Sequence, residues 1–262
     1  MLLSFKLWLE NRDWYVTLRY HPFTIAAWTK LRPSIARKLL QQKQFYQLLL
    51  NDLKEKTVID VGANEGFLTA VFSELGFNVV AIEPSNRNHA ILKARFHKLN
   101  NIKIIQNAVS DHHAKAFFFE CDTDPAINTL SEKWKFIGEQ KNSSAKLYRN
   151  SPTEIATITL DELLKLVPDI GFIKIDVEGH ELPVLRGLTR AVPLLSFEAI
   201  LPYFLEETIN CIHHVSYLSD TVRFNYSADY ELQLDEFVGE QQFVDVVKSI
   251  SPQTIEVVCK MV

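Results

Sequence analysis

Cysteine, glycine and long apolar runs are scarce in this chain of 262 residues. Its three cysteines are scattered and form no CxxC pair, which argues against a disulfide framework or a zinc ribbon and favours a reduced, intracellular protein. No run approaches the roughly 18 uncharged apolar residues that span a bilayer, and early charged residues argue against a secretory signal. With 47% hydrophobic residues and only 8 glycines, the composition predicts a globular protein with a core of its own.

Positive charge is concentrated at the start of the chain. Residues 1–56 carry a balance of +6 and the remainder carries −10, which gives the net charge of −4. Residues 1–50 have a helical pattern that is interrupted at Pro22 and Pro33, and apolar residues recur at helical spacing within 35–50. We therefore interpret residues 1–56 as a basic, aromatic, helical extension packed as a lid on a domain of residues 57–262. Peripheral membrane contact through residues 1–50, or a substrate or oligomer surface there, stays open as an alternative.

From residue 57 onward, short apolar runs alternate with helical patterns. Such alternation predicts an α/β fold whose doubly wound, mostly parallel sheet is covered by helices on both faces. Residues 121–151 are polar and rich in turn signals, and we expect an insertion or loop there, which at that length is usually functional or mobile. The predicted strands are 57–61, 78–83, 102–106, 115–120, 156–159, 172–176, 194–199, 222–226 and 254–259, and the predicted helices are 66–75, 85–99, 160–166, 181–190, 206–218 and 241–249.

A glycine turn follows the first predicted strand. Residues 58–66 read Val-Ile-Asp-Val-Gly-Ala-Asn-Glu-Gly, which is a buried strand, a tight turn and the start of a helix. Gly62 lets a ligand approach the backbone, and Asp60 is placed to accept from a cationic group or to hold the loop. Glu83 lies 23 residues after Asp60, at the end of the neighbouring strand, where an acid accepts the hydroxyls of a ribose. The pattern predicts a nucleoside ligand.

The type of nucleoside depends on the turn itself. A dinucleotide site favours GxGxxG with pyrophosphate at the helix N-terminus, whereas this turn lacks one glycine and carries Glu65. An acid at that place would repel a diphosphate and tolerate a cationic ligand. S-adenosylmethionine, with its sulfonium, is a ligand of that kind.

Six short segments give the chain a recognisable family pattern. The sequence resembles the class I, Rossmann-like methyltransferases, and specifically the FkbM-type family, over roughly residues 57–200. Lys174-Ile-Asp-Val-Glu-Gly179 is the most specific element. The matching segments are 58–66, 81–84, 107–111, 159–161, 172–181 and 197–198. The resemblance implies binding of S-adenosylmethionine and transfer of its methyl group, most often to a hydroxyl.

The resemblance also implies roles for individual residues. Asp60, Gly62, Ala63, Asn64 and Gly66 would surround the methionine part of the cofactor. Glu83 would hold the ribose, Pro84 and Ser85 would line the adenine side, and Asn107 with Ala108 would lie at the adenine edge, Asn107 replacing the usual acid. Asp176, after a buried strand, would face the sulfonium end.

A cluster of acids and one histidine is predicted for the chemistry. A hydroxyl acceptor must lose its proton during transfer, and Asp176, Glu178 and His180 are the candidate bases. Glu198, at the end of the next strand, would face the same crevice. Clustered carboxylates also suit Mg²⁺; we do not favour a divalent metal, because shape alone positions an acceptor, and no metal site is predicted.

The predicted function is O-methylation of a hydroxyl on a sugar, a glycan or another small molecule, in the cytoplasm or at a membrane surface. The preference for a sugar comes from the resemblance alone. The acidic body of the chain argues against nucleic acid as acceptor. N-methylation, nicotinamide-dependent oxidoreduction and a non-catalytic module docking through residues 1–50 stay open, as does the oligomeric state.

Overall fold

Helices and strands alternate through the part of the chain described by the computed structural model, which comprises residue 30 and residues 33–261 except 123, 142–147 and 168. Most of the predicted extension therefore lies outside the described residues. The helices are α1 (Pro33–Leu49), α2 (Phe67–Glu74), α3 (Asn86–Phe96), α4 (Glu132–Lys141), α5 (Leu160–Leu166), α6 (Glu181–Arg186), α7 (Leu205–Leu218) and α8 (Glu240–Ser249). The strands are β1 (Thr57–Val61), β2 (Asn78–Ile82), β3 (Ile102–Ile105), β4 (Ala108–Val109), β5 (Lys115–Phe118), β6 (Thr153–Ile158), β7 (Ile170–Ile175), β8 (Leu194–Ile200), β9 (Arg223–Ala228), β10 (Glu231–Leu232) and β11 (Thr254–Lys260).

Eight of these strands form one sheet in the order β10-β9-β11-β8-β7-β1-β2-β3. The five strands from β8 to β3 run parallel, and β11, β9 and β10 continue the sheet antiparallel. The chain builds outward from β1 to β3 and then returns to start the other half at β7. The strand order thus reverses between β1 and β7, which is where such sheets bind ligands. The predicted doubly wound, mostly parallel, Rossmann-like α/β sheet is confirmed.

The central strands are apolar because helices cover both faces. Every residue of β1 and of β7 is buried, and only Asp60 and Lys174 bring ionisable side chains into that interior. Helix α5 begins with a capping box, in which the Thr159 hydroxyl accepts from the Glu162 amide and the Glu162 carboxylate accepts from the Thr159 amide. Local capping and continuous apolar strands therefore agree with the global fold.

Helix α1 packs on the face of the sheet that also carries α2. Phe45, Tyr46 and Leu50 are buried, and the Tyr46 ring contacts Phe72 edge-on, with centroids 5.0 Å apart. The ring of Phe172 on β7 completes this aromatic group. The part of the predicted extension that is described thus shares a core with the domain.

Residues 121–151 are not a plain loop, and that expectation was wrong in part. They contain a turn of 3₁₀ helix (Pro125–Ile127) and helix α4, and Thr129 pairs with Phe119 in an antiparallel bridge. Polar composition hid α4 because most of its residues face solvent or are only half buried. A small sheet in the order β4-β6-β5 borders this region.

Several predicted ends shift by a few residues. The second strand ends at Ile82, the helix predicted for 85–99 spans Asn86–Phe96, and that predicted for 181–190 ends at Arg186. Strand β7 ends at Ile175, so Asp176 and Glu178 lie in the following turn rather than in a strand. Among the described helices, none has the length and apolarity that crossing a bilayer requires.

Candidate active site

The glycine turn after β1 is wedged between the ends of two neighbouring strands. The amides of Gly62 and Ala63 both donate to the Ile82 carbonyl, at 3.0 Å. Gly62 has a φ of +81°, and a Cβ on it would lie 1.8 Å from the backbone oxygen of Asp176. Only glycine fits both the left-handed conformation and this close approach. The turn therefore fixes the end of β1 against the end of β7.

Gly66 serves the packing of the turn rather than its open side. With a φ of +80°, it lies so close to α3 that a Cβ would be 2.5 Å from Leu92 and 2.6 Å from Phe96. Ala63 is buried. Neither residue lines the crevice described below, although both were predicted to contact the cofactor. They support the turn on the side that faces away from the crevice.

Glu83 joins the turn to the start of α3. Its Oε2 accepts from the Asn64 amide at 2.8 Å, and its Oε1 accepts from the Ser85 amide at 2.9 Å. Burial raises the pKa of Glu83 to about 7, although these two backbone donors favour the ionised form. The Asn88 side chain is a further donor to this carboxylate, and the lone-pair sites left over can accept from a ligand.

A crevice opens at the carboxyl edge of the sheet where the strand order reverses. It encloses about 720 Å³ including its mouth. Seven of the predicted cofactor residues line it, and these are Gly62, Asn64, Glu83, Pro84, Asn107, Ala108 and Asp176. The structure thus brings together, on one surface, segments that are more than 100 residues apart in the chain.

Two further predicted cofactor residues bind other parts of the protein. Asp60 is buried, accepts a hydrogen bond from the Thr69 hydroxyl at 2.5 Å, and does not line the crevice. Burial raises the pKa of Asp60 to about 6. The Ser85 hydroxyl donates to Glu120 at 3.2 Å. Asp60 holds the loop and helix α2, the second of the two roles considered for it.

One wall of the crevice comes from the segment that was expected to be a loop. Thr129 is fixed there because its hydroxyl donates to the Glu178 carbonyl at 2.7 Å and accepts from the Ser131 amide. Asn128 accepts from the Cys121 amide at 2.7 Å. Sequence reasoning missed this wall, and its only signal was the unusual length of the segment. The wall residues from this segment are Pro125, Ala126, Asn128, Thr129 and Leu130, and Phe118 of β5 lies beside them.

The predicted acids in the turn after β7 and on β8 converge. Carboxylate oxygens of Asp176, Glu178 and Glu198 all lie within 4.8 Å of one another, and we call these three residues the acid cluster. Burial, and then the Asp176 carboxylate, raise the pKa of Glu178 to about 9, and the same causes raise that of Glu198. Glu178 comes close through a left-handed backbone with a φ of +55°, not through the alternation of a strand.

Lys174 supplies the positive charge beside the acid cluster. Its ammonium lies 3.5 Å from the Asp176 carboxylate and is buried. Burial disfavours the charged form, but the surrounding carboxylates outweigh it and raise the pKa of Lys174. Three carboxylates also suit Mg²⁺, yet this lysine already partly neutralises the same group.

His180 faces away from the crevice. Its Nε2 lies 3.1 Å from the Ser110 hydroxyl, and the residue lines a neighbouring cavity together with Glu198. Burial lowers the pKa of His180 to about 4. Glu181, not proposed for any role, instead organises the turn, since its Oε1 accepts from the Val177 and Gly179 amides. The expectation that His180 reaches the reacting groups has no support in this geometry.

Glu65 does not face the ligand site, contrary to the expectation that it would repel a diphosphate there. Its carboxylate pairs with Arg87 at 3.2 Å and does not line the crevice. The electrostatic discrimination comes from other acids, because Glu83, Asp176 and Glu178 line the crevice and, among the described residues, no lysine or arginine does. With a pKa of about 9, Glu178 is mostly neutral at pH 7, so the negative charge of this surface comes from Asp176 and the ionised part of Glu83. A surface with this charge repels a pyrophosphate and attracts a sulfonium.

This chain is similar to several known methyltransferases. The chain is 29% identical over 164 residues to the hexuronic acid methyltransferase AglP of Haloferax volcanii, and the match covers 62% of each protein, less than two thirds of that relative. Two solved structures have similar overall folds: an O-methyltransferase from Bacillus cereus in complex with SAH (13% identity, 95% of this chain and 96% of that one, TM-score 0.38) and a TehB-like SAM-dependent methyltransferase from Corynebacterium glutamicum (10% identity, 90% and 100%, TM-score 0.43). With TM-scores below 0.5, neither structure bears on the site.

The family comparison covers the crevice itself. The model of the methyltransferase FkbM domain matches residues 60–217, which include the glycine turn, Glu83 and the acid cluster. The match extends over more than half of the chain. This protein therefore belongs to the FkbM methyltransferase domain family.

Proposed function

We propose that this protein transfers the methyl group of S-adenosylmethionine to a hydroxyl group of a sugar or another small molecule. The observation that carries the proposal is the charge of the crevice at the strand reversal. Glu83, Asp176 and Glu178 line it without any lysine or arginine among the described lining residues. A sulfonium nucleoside suits such a surface, whereas a dinucleotide would bring two phosphates to it.

Asn64 supports the same choice of ligand. It occupies the place of the second glycine in a dinucleotide turn, where the missing side chain lets the backbone approach pyrophosphate. Here the backbone is left-handed, with a φ of +49°, and the residue lines the crevice while its Oδ1 accepts from Asn88. The side chain occupies the space that a diphosphate would use.

Glu83 is the proposed ribose ligand. Its two oxygens are oriented by the amides of Asn64 and Ser85, so the carboxylate is held in one position before any ligand binds. The remaining lone pairs accept the two hydroxyls of a ribose. This pre-organisation reduces the entropy lost on binding.

The reaction is an in-line displacement in which the acceptor oxygen–carbon bond forms as the sulfur–carbon bond breaks. The bound methyl donor supplies the methyl group, and the electron pair of the broken bond stays on sulfur. The hydroxyl proton passes to a carboxylate of the acid cluster. Asp176 is the candidate that borders the crevice with an accessible side chain, 37% exposed. Alignment of the acceptor supplies much of the remaining rate enhancement.

Two findings support a sugar as the acceptor. The relative AglP is a hexuronic acid methyltransferase, and the chain belongs to the FkbM methyltransferase domain family. N-methylation differs only in the acceptor atom. A screen of hydroxylated and amine-bearing acceptors with labelled methyl donor distinguishes the two reactions.

Calorimetry tests the choice of cofactor. We expect S-adenosylmethionine and S-adenosylhomocysteine to bind and NAD not to bind. Glu83→Ala should weaken binding by about 1.5–3 kcal/mol, the contribution of hydrogen bonds to a charged group. The matched control is Glu236→Ala, an exposed acid outside the crevice. Tight NAD binding, or an unchanged affinity of Glu83→Ala, would overturn the proposed ligand.

A further inference from the structure

A second cavity adjoins the crevice and shares Asp176 with it. It lies on the face of the sheet covered by α1 and encloses about 850 Å³ including its mouth. Asp176 borders both spaces, so a molecule in the second cavity has access to the acid cluster.

The floor of this cavity is a polar row across three strands. Glu198 on β8 pairs with Glu256 on β11, which pairs with Ser227 on β9. Residues paired across strands lie on one face of a sheet, so these side chains all point toward α1. One oxygen of Glu198, Oε2, is shielded from solvent and has no hydrogen-bond partner within the protein. A buried polar atom without a partner in the chain leaves a hydrogen bond that a ligand can complete.

The roof of the cavity is held in place by α1. The Tyr46 hydroxyl lies 3.0 Å from both oxygens of Glu256 and donates to that carboxylate. Gln42 donates to the Tyr230 hydroxyl at 3.0 Å, and the Phe45 ring contacts the Tyr230 ring. These contacts fix an aromatic side chain at the rim.

Tyr230 has a left-handed backbone conformation, which a tyrosine rarely adopts. It forms with Asp229 the two-residue turn between β9 and β10, and both have positive φ, +65° and +50°. Asparagine and glycine are the usual residues of such a turn, and a bulky residue is disfavoured. Strain of this kind persists where surrounding contacts impose it and is typical of functional positions.

The charge of the cavity selects its ligand. Four acids line it (Asp176, Glu198, Asp229 and Glu256) against the two ammonium groups of Lys38 and Lys174. Burial raises the pKa of Glu198 and favours its neutral form, and Lys174 is already paired with Asp176. Hydroxyl groups donate readily to the remaining carboxylates, whereas these acids repel a ligand carboxylate, whose cationic partner would be Lys38 beside the Tyr230 ring.

We propose that this second cavity binds the methyl acceptor, and that the acceptor is a neutral, hydroxyl-rich ring such as a hexose rather than a hexuronate. The inference rests on the proposed methyltransferase function and adds the place and charge class of its second substrate. It separates this chain from the relative AglP, which is named as a hexuronic acid methyltransferase.

The test uses the whole protein saturated with S-adenosylhomocysteine, whose binding is measured first by calorimetry. Saturation-transfer NMR then compares methyl glucoside, galactoside and mannoside with methyl glucuronide. We expect at least one neutral glycoside to bind and the uronate to bind at least tenfold more weakly. Absence of S-adenosylhomocysteine binding would overturn the proposed function itself. Normal cofactor binding with a uronate bound as tightly as every neutral glycoside, or with no glycoside bound at all, would overturn only the acceptor proposal.

A matched pair of neutralised acids locates the binding. Asp229→Asn removes one cavity charge and keeps a residue that tolerates positive φ, and Asp220→Asn removes an exposed charge outside the cavity. We expect Asp229→Asn to reduce the discrimination against the uronate about threefold, with unchanged affinity for S-adenosylhomocysteine, and Asp220→Asn to leave the discrimination unchanged. Equal effects of the two variants would contradict the placement.

Discussion

Gly62 lies against the backbone oxygen of Asp176, so closely that a Cβ on the glycine would be 1.8 Å from that oxygen. This contact joins the ends of β1 and β7, the two strands between which the sheet order reverses. It also brings the glycine turn, proposed for the cofactor, to the acid cluster, proposed for the chemistry. The spacing between donor and acceptor sites therefore depends on a residue without a side chain.

Gly62→Ala should destabilise the protein and abolish binding of S-adenosylhomocysteine. The left-handed backbone alone costs about 1–2 kcal/mol for alanine, and the collision with Asp176 adds to it. Gly76→Ala is the matched control, because Gly76 also has a positive φ, +89°, but nothing lies within 4 Å of its would-be Cβ. Urea unfolding of both variants measures the difference. Equal free energies of unfolding would show that the contact with β7 is unimportant.

Affinity for S-adenosylhomocysteine should rise with pH between about 6 and 8. The pKa of Glu83 is raised to about 7, and the proposed ribose hydroxyls donate to its ionised form. The free energy of unfolding changes in the opposite direction. Because the pKa of Glu83 is higher in the folded than in the unfolded protein, the protein loses about 3 kcal/mol of stability as pH rises from 4.5 to about 7. Calorimetry and unfolding across this range, compared with Glu83→Gln, isolate the contribution. A pH dependence that persists in the variant would assign it to another group.

Glu178→Gln should stabilise the protein at pH 8 and slow methyl transfer. Burial and the neighbouring Asp176 carboxylate make ionised Glu178 unfavourable in the fold, so a neutral isostere should add about 0.5–2 kcal/mol, in the range of other stabilising substitutions. The same change removes the ionised fraction of Glu178, about a tenth at pH 8 for a pKa of about 9, which can accept a proton in the acid cluster. Unfolding and turnover measurements on one preparation check both effects, and a variant that is less stable yet fully active would contradict the account.

Tyr46→Phe should cost about 1.5–3 kcal/mol of stability, because it leaves the carboxylate of Glu256 without its hydroxyl donor. Tyr217→Phe is the control, since Tyr217 is 89% exposed. Thermal or urea unfolding measures both. A loss no larger than that of Tyr217→Phe would mean that α1 is held by ring packing alone.

The mostly parallel sheet and the position of the crevice could be predicted from the sequence because each rests on local pattern. Apolar strands, the glycine turn and Glu83 at a spacing of one strand, one helix and one strand are all readable along the chain. The closeness of Asp176, Glu178 and Glu198 was also predicted, although Asp176 was expected at the end of the strand 172–176 and lies, with Glu178, in the turn after β7.

The rest depends on contacts between distant segments. Glu65 was expected to face the ligand site, but its carboxylate forms an ion pair with Arg87 on α3. His180 was a candidate base, but its Nε2 forms a hydrogen bond with the hydroxyl of Ser110, 70 residues earlier in the chain. Thr129 belongs to the crevice because it hydrogen-bonds the backbone of Glu178, a pairing that no local pattern reveals. Domain boundaries at residue 56 and the role of residues 1–50 stay predictions.

The most direct test of the central claim is a crystal structure of the protein with S-adenosylhomocysteine. The account predicts the nucleoside in the crevice at the strand reversal, with both ribose hydroxyls within hydrogen-bond distance of Glu83 and the sulfur directed toward Asp176. A nucleoside bound elsewhere, or a ribose that does not contact Glu83, would contradict it.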